Sequence, residues 1–378
     1  MVLERNCFMS LLCFMIQQIE SANEVLPLYP LNAEFARPSW IFGLNSYEVI
    51  QSDEQKTLIA CSYRQSGRSY LAIIDVIHSS LSLLDIPFTD IQDITSGSNC
   101  LYVEGASGLL PSSVAKVTLN DEKSAGIDFQ IIWSSSPDSL KYGSYFSLPE
   151  LIEFPTEVHG QNAYAYFYPP SNHDYQASSE EKPPLLLESH GGPTSEARGV
   201  LNLSIQYWTS RGWAFVDVNY GGSTGYGREF RERLLGRWGI VDVDDCCSCA
   251  KFLVEIGKVD GTRLCITGGS AGSDKDYYER SPINFVEKFS CPVILFQGLE
   301  DKVVPPGQAR KIYAALKQKG LPVALVEYEG EQHGFRKAES IKFTLEQQML
   351  FFARLVGHFD VAMRSHHSKS TTLTELAS

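Results

Sequence analysis

The stretch LCITGGSAG, residues 264–272, constrains the fold of this chain more than any other part of the sequence. The β-favouring run LCIT leads into GGSAG, which matches the pattern G-x-S-x-G. This pattern is typical of a sharp strand-to-helix turn that holds a nucleophilic serine above a parallel sheet. Small neighbours are needed because the turn is strained and the next helix passes close to the strand. The sequence therefore predicts Ser270 as a nucleophile at the end of a strand.

The residues after this turn do not continue the pattern. A helix with an apolar face is expected after Gly272, but residues 273–281 contain no apolar stripe, and Pro282 does not fit inside a helix. Such a helix normally packs on the sheet, and its amino-terminal N–H groups supply positive potential beside a developing oxyanion. We therefore expect a defect in the fold directly after the predicted nucleophile.

Two patterns of apolar residues divide the chain. Between about residues 29 and 150, short apolar runs such as TLIACSYR, YLAIIDVI and CLYVEG alternate with turn residues. This spacing predicts antiparallel strands in groups of four, either a sandwich-like module or an incomplete β-propeller with open edges. After the polar loop at residues 171–183, strands alternate with helices. That order predicts an α/β-hydrolase domain, so the fold class is α/β with a preceding all-β, propeller-like region.

An acid and a histidine follow Ser270 in the order that this fold requires. Asp301 follows the predicted strand CPVILFQG, and His333 follows the last predicted strand, VALVEYEG. In such an arrangement the acid orients the imidazole that takes the serine proton. Glu300 is adjacent to Asp301, so spacing alone leaves the choice of acid open, and either acid could instead cap the following helix. The order of the three residue types favours a catalytic triad.

The sequence ESHGGP offers part of an oxyanion-binding site. His190, Gly191 and Gly192 follow the predicted strand PLLLESH. A glycine loop at this place supplies a backbone N–H to the tetrahedral oxygen, and the residue after the nucleophile, Ala271, supplies another. We therefore predict Ala271, Gly191 and Gly192 as oxyanion-binding residues. An ordinary strand-to-helix turn is the alternative interpretation of the His190 segment.

Composition limits the partners and the compartment. A net charge of −13 disfavours a broad phosphate-binding surface, so nucleic acid is not expected as a partner. Nine cysteines, without the spacing of a disulfide framework or a zinc site, favour reduced thiols and a cytoplasmic location, with a plastid or another organelle left open. The apolar run from Cys7 to Ile16 is too short to span a bilayer. We expect no cofactor, no metal and no membrane contact.

Several motifs together resemble the prolyl oligopeptidase family of serine peptidases, in its acylaminoacyl-peptidase and dipeptidyl-peptidase-like branch. They are PLLLESHGGPTSEARG, GWAFVDVNYGGSTGYGREF, GGSAG, YYERSPINF and YEGEQHGF, and the resemblance covers about residues 150–362. It implies a peptidase domain behind a β-propeller and a peptide substrate. On the matching positions, Ser270 is the nucleophile, His333 is the base, and the acid is Asp301 rather than Glu300.

The resemblance also gives the expected domains. They are an unassigned segment 1–28, a β-propeller-like remnant 29–150, an α/β-hydrolase peptidase domain 151–362 and a polar tail 363–378 that we expect to be disordered. The β-rich region has room for about two or three blades, fewer than a closed propeller needs. After Gly272 the chain joins the later motif YYERSP directly, which indicates an internal deletion.

These departures leave three functions to compare. The first is a serine-type peptidase that hydrolyses short peptides through an acyl-enzyme with a Ser-Asp-His triad. The second is a catalytically impaired product, truncated or spliced, of such a peptidase. The third is a carboxylesterase on the same fold, because an open site favours small esters. Self-association into a homo-oligomer is left open in each case.

Overall fold

The computed structural model describes residues 17–21, 24–36, 43–53, 55–119, 128–178, 180–192, 195–269 and 281–357, with the backbone alone for 17–21 and 24–27. Ser270 and Ala271 lie outside these residues, as do the apolar run Cys7 to Ile16 and the tail 363–378. Residues 17–149 form a β-rich part, and residues 150–357 form an α/β part. None of the described helices is long and apolar enough to cross a membrane.

The β-rich part contains a hairpin and two four-stranded antiparallel sheets. The hairpin strands are β1 (Gln17–Ser21) and β2 (Glu24–Pro27). The first sheet contains β3 (Tyr47–Ser52), β4 (Thr57–Gln65), β5 (Arg68–Asp75) and β6 (Ser80–Leu84). The second contains β7 (Asp90–Ser96), β8 (Cys100–Ala106), β9 (Ser113–Thr118) and β10 (Asp128–Ser134). In both sheets each strand pairs with the next one along the chain, as in a propeller blade.

The two four-stranded sheets share one core because alternate residues of their strands are apolar and point to the same face. The buried residues of this core include Ala60, Leu71, Ile91, Ile94, Leu101, Val103, Ala115 and Val117. The expected groups of four antiparallel strands are therefore confirmed. Among the described residues the two sheets do not close into a barrel or a complete propeller.

The α/β part contains a five-stranded sheet and a separate two-stranded sheet. The first has the order β11-β12-β14-β13-β15, with β11 (Glu150–Pro155), β12 (Asn162–Tyr168), β13 (Leu185–Ser189), β14 (Ala214–Asn219) and β15 (Leu264–Gly268). Its strands β14, β13 and β15 are parallel to one another. The second sheet pairs β16 (Val293–Gly298) with β17 (Val323–Tyr328), also in parallel.

Helices cover both faces of the five-stranded sheet. The described helices are α1 (Leu203–Thr209), α2 (Arg228–Glu232), α3 (Val241–Glu255), α4 (Pro306–Gln318) and α5 (Ala338–Val356), with 3₁₀ helices at Pro137–Tyr145 and Pro282–Lys288. Helix α3 packs on one face and α5 with α1 on the other. Cys246 of α3 is buried in the first core, and burial raises the pKa of its thiol to about 12. No group of His, Cys, Asp and Glu that could hold a metal ion is found in the described ranges.

The parallel sheet is interrupted between β15 and β16. Within the described residues, β15 pairs only with β13, and β16 pairs only with β17. Ile266 of β15 is in register with Leu187 of β13 and points to the same face. Leu187 is 4% exposed beneath α3, whereas Ile266 is 62% exposed. The sheet therefore has a gap where the sequence indicates a deletion, and the two flanking strands do not pair across it.

We predict that substitutions in the interior of the five-stranded sheet and on its edge strand beside the gap differ strongly in their cost to stability. Leu187→Ala should lower the free energy of unfolding by about 2–5 kcal/mol, because it opens a cavity in a packed core. Ile266→Ala should lower it by less than about 1 kcal/mol, because most of this side chain already contacts water. Urea denaturation followed by circular dichroism measures both values. Equal losses would show that Ile266 is covered in solution.

Candidate active site

The loops after β16 and β17 bring Asp301 to His333. The two strands remain paired up to Gly298 and Tyr328, so the loops leave the sheet side by side. His333 Nδ1 lies 2.9 Å from Asp301 Oδ2. The other carboxylate oxygen of Asp301 accepts the backbone N–H groups of Val303 and Val304, each at 2.8 Å. The Asp301 carboxylate is therefore held by the backbone of its own loop in addition to its contact with the imidazole.

The charge of Asp301 determines which nitrogen of His333 carries the proton. Burial alone would raise the pKa of Asp301, but the hydrogen bonds from Val304, His333 and Val303 outweigh it, and the pKa is lowered. An ionised carboxylate only accepts hydrogen bonds, so Nδ1 of His333 carries a proton. In the neutral imidazole, Nε2 is then the nitrogen that can take a proton from another group. Asp301 is 9% exposed, whereas the adjacent Glu300 is exposed.

Glu331 holds the loop that carries His333, and the sequence analysis missed it. Its buried carboxylate accepts the N–H groups of Arg336 at 2.9 Å and Lys337 at 3.0 Å. Lys337 is the N-cap residue of α5, so Glu331 ties the His333 loop to the start of this helix. The available signal was a carboxylate two residues before the histidine and just ahead of a helix, where backbone N–H groups lack partners.

A second cluster surrounds His190, which follows β13. Nδ1 of His190 lies 2.8 Å from the carbonyl oxygen of Gly191, and Nε2 lies 2.7 Å from Ser223 Oγ. The ring of Tyr220 stacks on the imidazole at a centroid distance of 4.3 Å, and its hydroxyl donates to the carbonyl of His190 at 2.8 Å. Burial lowers the pKa of His190, which favours the neutral imidazole. Nδ1 then donates to Gly191, and Nε2 faces the Ser223 hydroxyl, which also lies 2.8 Å from the carbonyl oxygen of Tyr220.

The glycines after His190 lie where the backbone can approach a bound group. Neither Gly191 nor Gly192 donates its amide to an acceptor within the part of the chain that the structure describes. A Cβ atom on Gly192 would lie 2.5 Å from the ring of Trp238, so only glycine fits there without movement. We name the segment 190–202 the His190 loop and the segment 220–227 the glycine loop. Of the first, the structure describes 190–192 and 195–202.

Two acids lie on adjacent strands just before these loops. Glu188 of β13 and Asp217 of β14 are paired in register on the face that α5 covers. Oδ1 of Asp217 is buried and has no hydrogen-bond partner among the described residues. Burial and the neighbouring Glu188 raise the pKa of Asp217 well above its usual value, and burial also raises the pKa of Glu188. These two acids therefore bind protons more tightly in the folded chain than in the unfolded chain.

The predicted site residues thus lie in two groups at the carboxyl ends of parallel strands. Asp301 and His333 follow the two-stranded sheet, whereas Gly191 and Gly192 follow β13 of the five-stranded sheet. Ser189, just before the His190 loop, pairs with Gly268, so the chain leaves β15 next to that loop on its way to the undescribed segment 270–280.

The sequence matches a known family model described as Prolyl oligopeptidase family. The match covers residues 200–273 and 272–359, two segments that meet where the sequence indicates a deletion. Among curated proteins, the chain is 24% identical over 222 residues to the acylamino-acid-releasing enzyme of Arabidopsis thaliana, covering 42% of this chain and 29% of the relative. It is also 24% identical over 285 residues to dipeptidyl peptidase family member 6 of Caenorhabditis elegans, covering 60% and 36%.

Solved structures give a longer match. A puromycin-hydrolysing peptidase from Mycobacterium tuberculosis is similar with a TM-score of 0.79 and 31% identity, covering 88% of this chain and 58% of that chain. An acylaminoacyl peptidase from Pyrococcus horikoshii has a TM-score of 0.65 and 18% identity, covering 81% and 55%, and this likeness shows the fold alone. The chain thus spans about a third of the length of these curated relatives and little more than half of these structures.

We predict that Ser223 stabilises the His190 loop. Ser223→Ala removes a hydroxyl that contacts both His190 Nε2 and the carbonyl oxygen of Tyr220, and it should lower the free energy of unfolding by about 1–3 kcal/mol. Ser69→Ala is the matched control, because the buried Ser69 hydroxyl has no hydrogen-bond partner in the part of the chain that the structure describes. The control should stay within about 0.5 kcal/mol of the parent chain. Urea denaturation at pH 7.5 measures both, and equal losses would contradict the prediction.

We also predict that Asp217 makes the stability of the folded chain depend on pH. Acids with raised pKa values stabilise the folded chain below the usual acid pKa, near 4, and this stabilisation is lost as pH rises towards the raised values. Asp217→Asn removes the titrating group, so its melting temperature relative to the parent should increase between pH 5 and pH 8. The exposed Asp85→Asn is the control. A difference that does not change with pH would contradict the prediction.

Proposed function

Because this chain belongs to the prolyl oligopeptidase family, we propose that it is a serine-type peptidase that hydrolyses short peptides through an acyl-enzyme. The observation that carries the proposal is the contact of 2.9 Å between His333 Nδ1 and Asp301 Oδ2, on loops after two adjacent parallel strands. An imidazole oriented in this way can take a proton from a nucleophile. Ser270, the serine in the family's motif GGSAG, is the candidate for that nucleophile. The relatives named above also favour a hydrolase that acts on amide bonds.

In the proposed reaction, Ser270 attacks the carbonyl carbon of the scissile amide while Nε2 of His333 takes the hydroxyl proton. Asp301 keeps the imidazole in the correct tautomer and stabilises the imidazolium that forms. The same proton then passes to the leaving amine, which departs and leaves an ester on Ser270. A water molecule, activated by His333, hydrolyses this ester and regenerates the serine.

The developing oxyanion would be bound by backbone N–H groups. Gly191 and Gly192 are the candidates on the His190 loop, because their amides donate to no acceptor among the described residues. Ala271 would supply a further amide from the residue after the nucleophile. Removing one such donor from an oxyanion hole costs about 10²–10³ in kcat in well-studied enzymes. The positions of the Gly191 and Gly192 amides should therefore strongly affect kcat of the proposed reaction.

A second candidate is a catalytically impaired chain of the same family. The interruption of the sheet favours it, because within the described ranges β15, which leads to Ser270, is not paired with the sheet that carries Asp301 and His333. A displacement of about 1 Å between reacting groups can reduce a rate by about a hundredfold. In this case the Asp301 and His333 contact would persist, but Ser270 would lie out of reach.

The substrate class to test first is an aminoacyl or acylaminoacyl amide. The names of the relatives describe release of acylated amino acids and hydrolysis of puromycin, and a further solved puromycin hydrolase was studied with the compound abbreviated PGG. A cytoplasmic location and self-association into a homo-oligomer stay predictions from the sequence.

We predict that a fluorophosphonate probe labels the folded chain at Ser270 and that Ser270→Ala abolishes the label. Asp301→Asn should reduce turnover of an aminoacyl amide by about 10⁴-fold, because the imidazole then adopts the wrong tautomer. Mass spectrometry of the labelled peptide and initial rates measure the two effects. Glu300→Gln is the matched control, since the exposed Glu300 neighbours Asp301 in the chain. Labelling that is absent from a cooperatively folded chain would support the impaired candidate instead.

A further inference from the structure

Glu34, which belongs to the β-rich part, binds the glycine loop of the α/β part. Its carboxylate is 7% exposed and accepts the N–H groups of Gly225 and Gly227, both at 2.9 Å. Arg231 Nη1 lies 3.6 Å from the same carboxylate. Gly225 has a φ of 89°, a conformation that favours glycine, and this turns its amide towards Glu34. A buried charge from one part of the chain is therefore bound by the backbone of the other.

A second set of charges links the β-rich part to the His190 loop. Arg64 of β4 donates from Nη1 to Glu196 at 2.8 Å and to Asp90 at 3.0 Å. Arg198 donates from Nη1 to the other oxygen of Asp90 at 2.9 Å. Each part thus supplies one arginine and one acid, and two of the three ion pairs, Arg64–Glu196 and Arg198–Asp90, join the two parts. Glu196 and Arg198 lie in the same short segment of the His190 loop.

The residue between these two charges is also fixed. Ala197 donates its N–H to Asn219 Oδ1 at 2.8 Å and accepts from Asn219 Nδ2 at 3.1 Å. The Arg64 guanidinium is buried and donates from Nη2 to the carbonyl of Gly67 at 3.0 Å. Removing one partner from such a buried network leaves an uncompensated charge, which is strongly destabilising. The network therefore favours the arrangement of the loops seen in the folded chain.

The two loops held in this way also contact each other. Thr224 of the glycine loop donates its N–H to the carbonyl of Ser195 in the His190 loop at 3.0 Å. The neighbouring Ser223 lies 2.7 Å from His190 Nε2, and His190 Nδ1 in turn binds the carbonyl of Gly191. Hydrogen bonds and the short backbone segment from Ser223 to Gly225 therefore connect Glu34 of the β-rich part to the segment that carries the predicted oxyanion donors.

We propose that Glu34 and Arg64 are positioning residues, which hold the glycine loop and the His190 loop so that the Gly191 and Gly192 amides point at the oxyanion. The proposal rests on the proposed peptidase function. The β-rich part then acts on the catalytic geometry itself and does more than restrict access to it. Because oxyanion donors act in the transition state, their displacement should reduce kcat with little change in KM.

The first test compares Glu34→Gln with the parent chain. The glutamine has a similar shape, but its amide nitrogen cannot accept a hydrogen bond from Gly225 or Gly227. Asp75→Asn is the matched control, because Asp75 is a buried acid of the β-rich part that accepts the N–H of His78 and touches neither loop. We expect Glu34→Gln to reduce kcat for an aminoacyl amide by about 10- to 100-fold, with KM within about twofold. Asp75→Asn should leave both constants unchanged.

A second measurement does not depend on turnover. Diethylpyrocarbonate modifies accessible neutral imidazoles, and peptide mapping by mass spectrometry gives the rate at each histidine. If Glu34 holds the loops, Glu34→Gln should accelerate modification of His190 by about fivefold or more, whereas the exposed His159 should react at the parent rate. Arg64→Lys keeps the charge but cannot reach Asp90, Glu196 and Gly67 together, and it should act in the same direction.

The outcomes separate this inference from the proposed function. Absence of turnover and of probe labelling in the parent chain overturns the peptidase function, and the His190 rates still decide whether Glu34 and Arg64 hold the loops. Unchanged His190 modification in folded Glu34→Gln and Arg64→Lys overturns the positioning role. Equal changes in Asp75→Asn also overturn it, because they would indicate general loosening of the β-rich part. If Glu34→Gln does not fold, Arg64→Lys carries the test.

Discussion

Contact with helix α5 connects the two pieces of the parallel sheet, and the α/β part depends on this contact. Met349 and Phe352 of α5 pack in the same core as Leu186 and Phe215 of the five-stranded sheet, with Ile294 of β16 packed against it. Gln348 on this helix lies 3.5 Å from Thr267 of β15. Because β15 and β16 share no hydrogen-bond ladder among the described residues, side-chain packing on α5 replaces strand pairing as the link between them.

This arrangement explains why both groups of predicted site residues keep their local contacts although the described sheet is interrupted. The contact between Asp301 and His333 needs only the β16–β17 pair and Glu331, all of which lie on one side of the gap. The cluster around His190 lies on the loops after β13 and β14, on the other side of the gap. What the gap removes is the support for the strand that leads to Ser270, since one edge of β15 is unpaired within the described residues and Ile266 is exposed.

The β-rich part is bound to the α/β part by buried charges as well as by packing. Glu34 and Arg64 also pair with each other through their backbones in an isolated β-bridge, so the two links described above start from neighbouring backbone segments. Buried charges require partners in a definite geometry, whereas apolar contacts tolerate sliding. The boundary between the two parts is thus well defined although the described sheets form no closed propeller.

Local sequence patterns are enough to predict the fold class, the order of the elements and the strands after which the loops carry Asp301, His333 and Gly191, because apolar periodicity and glycine turns are local properties. The sequence also located the interruption of the sheet, since residues 273–281 lack an apolar stripe. Only the tertiary structure could show that Glu331 fixes the His333 loop and that Glu34 and Arg64 reach the loops after β13 and β14. These contacts join residues far apart in the chain or depend on loop conformation, and a single sequence contains no pattern that records such distances.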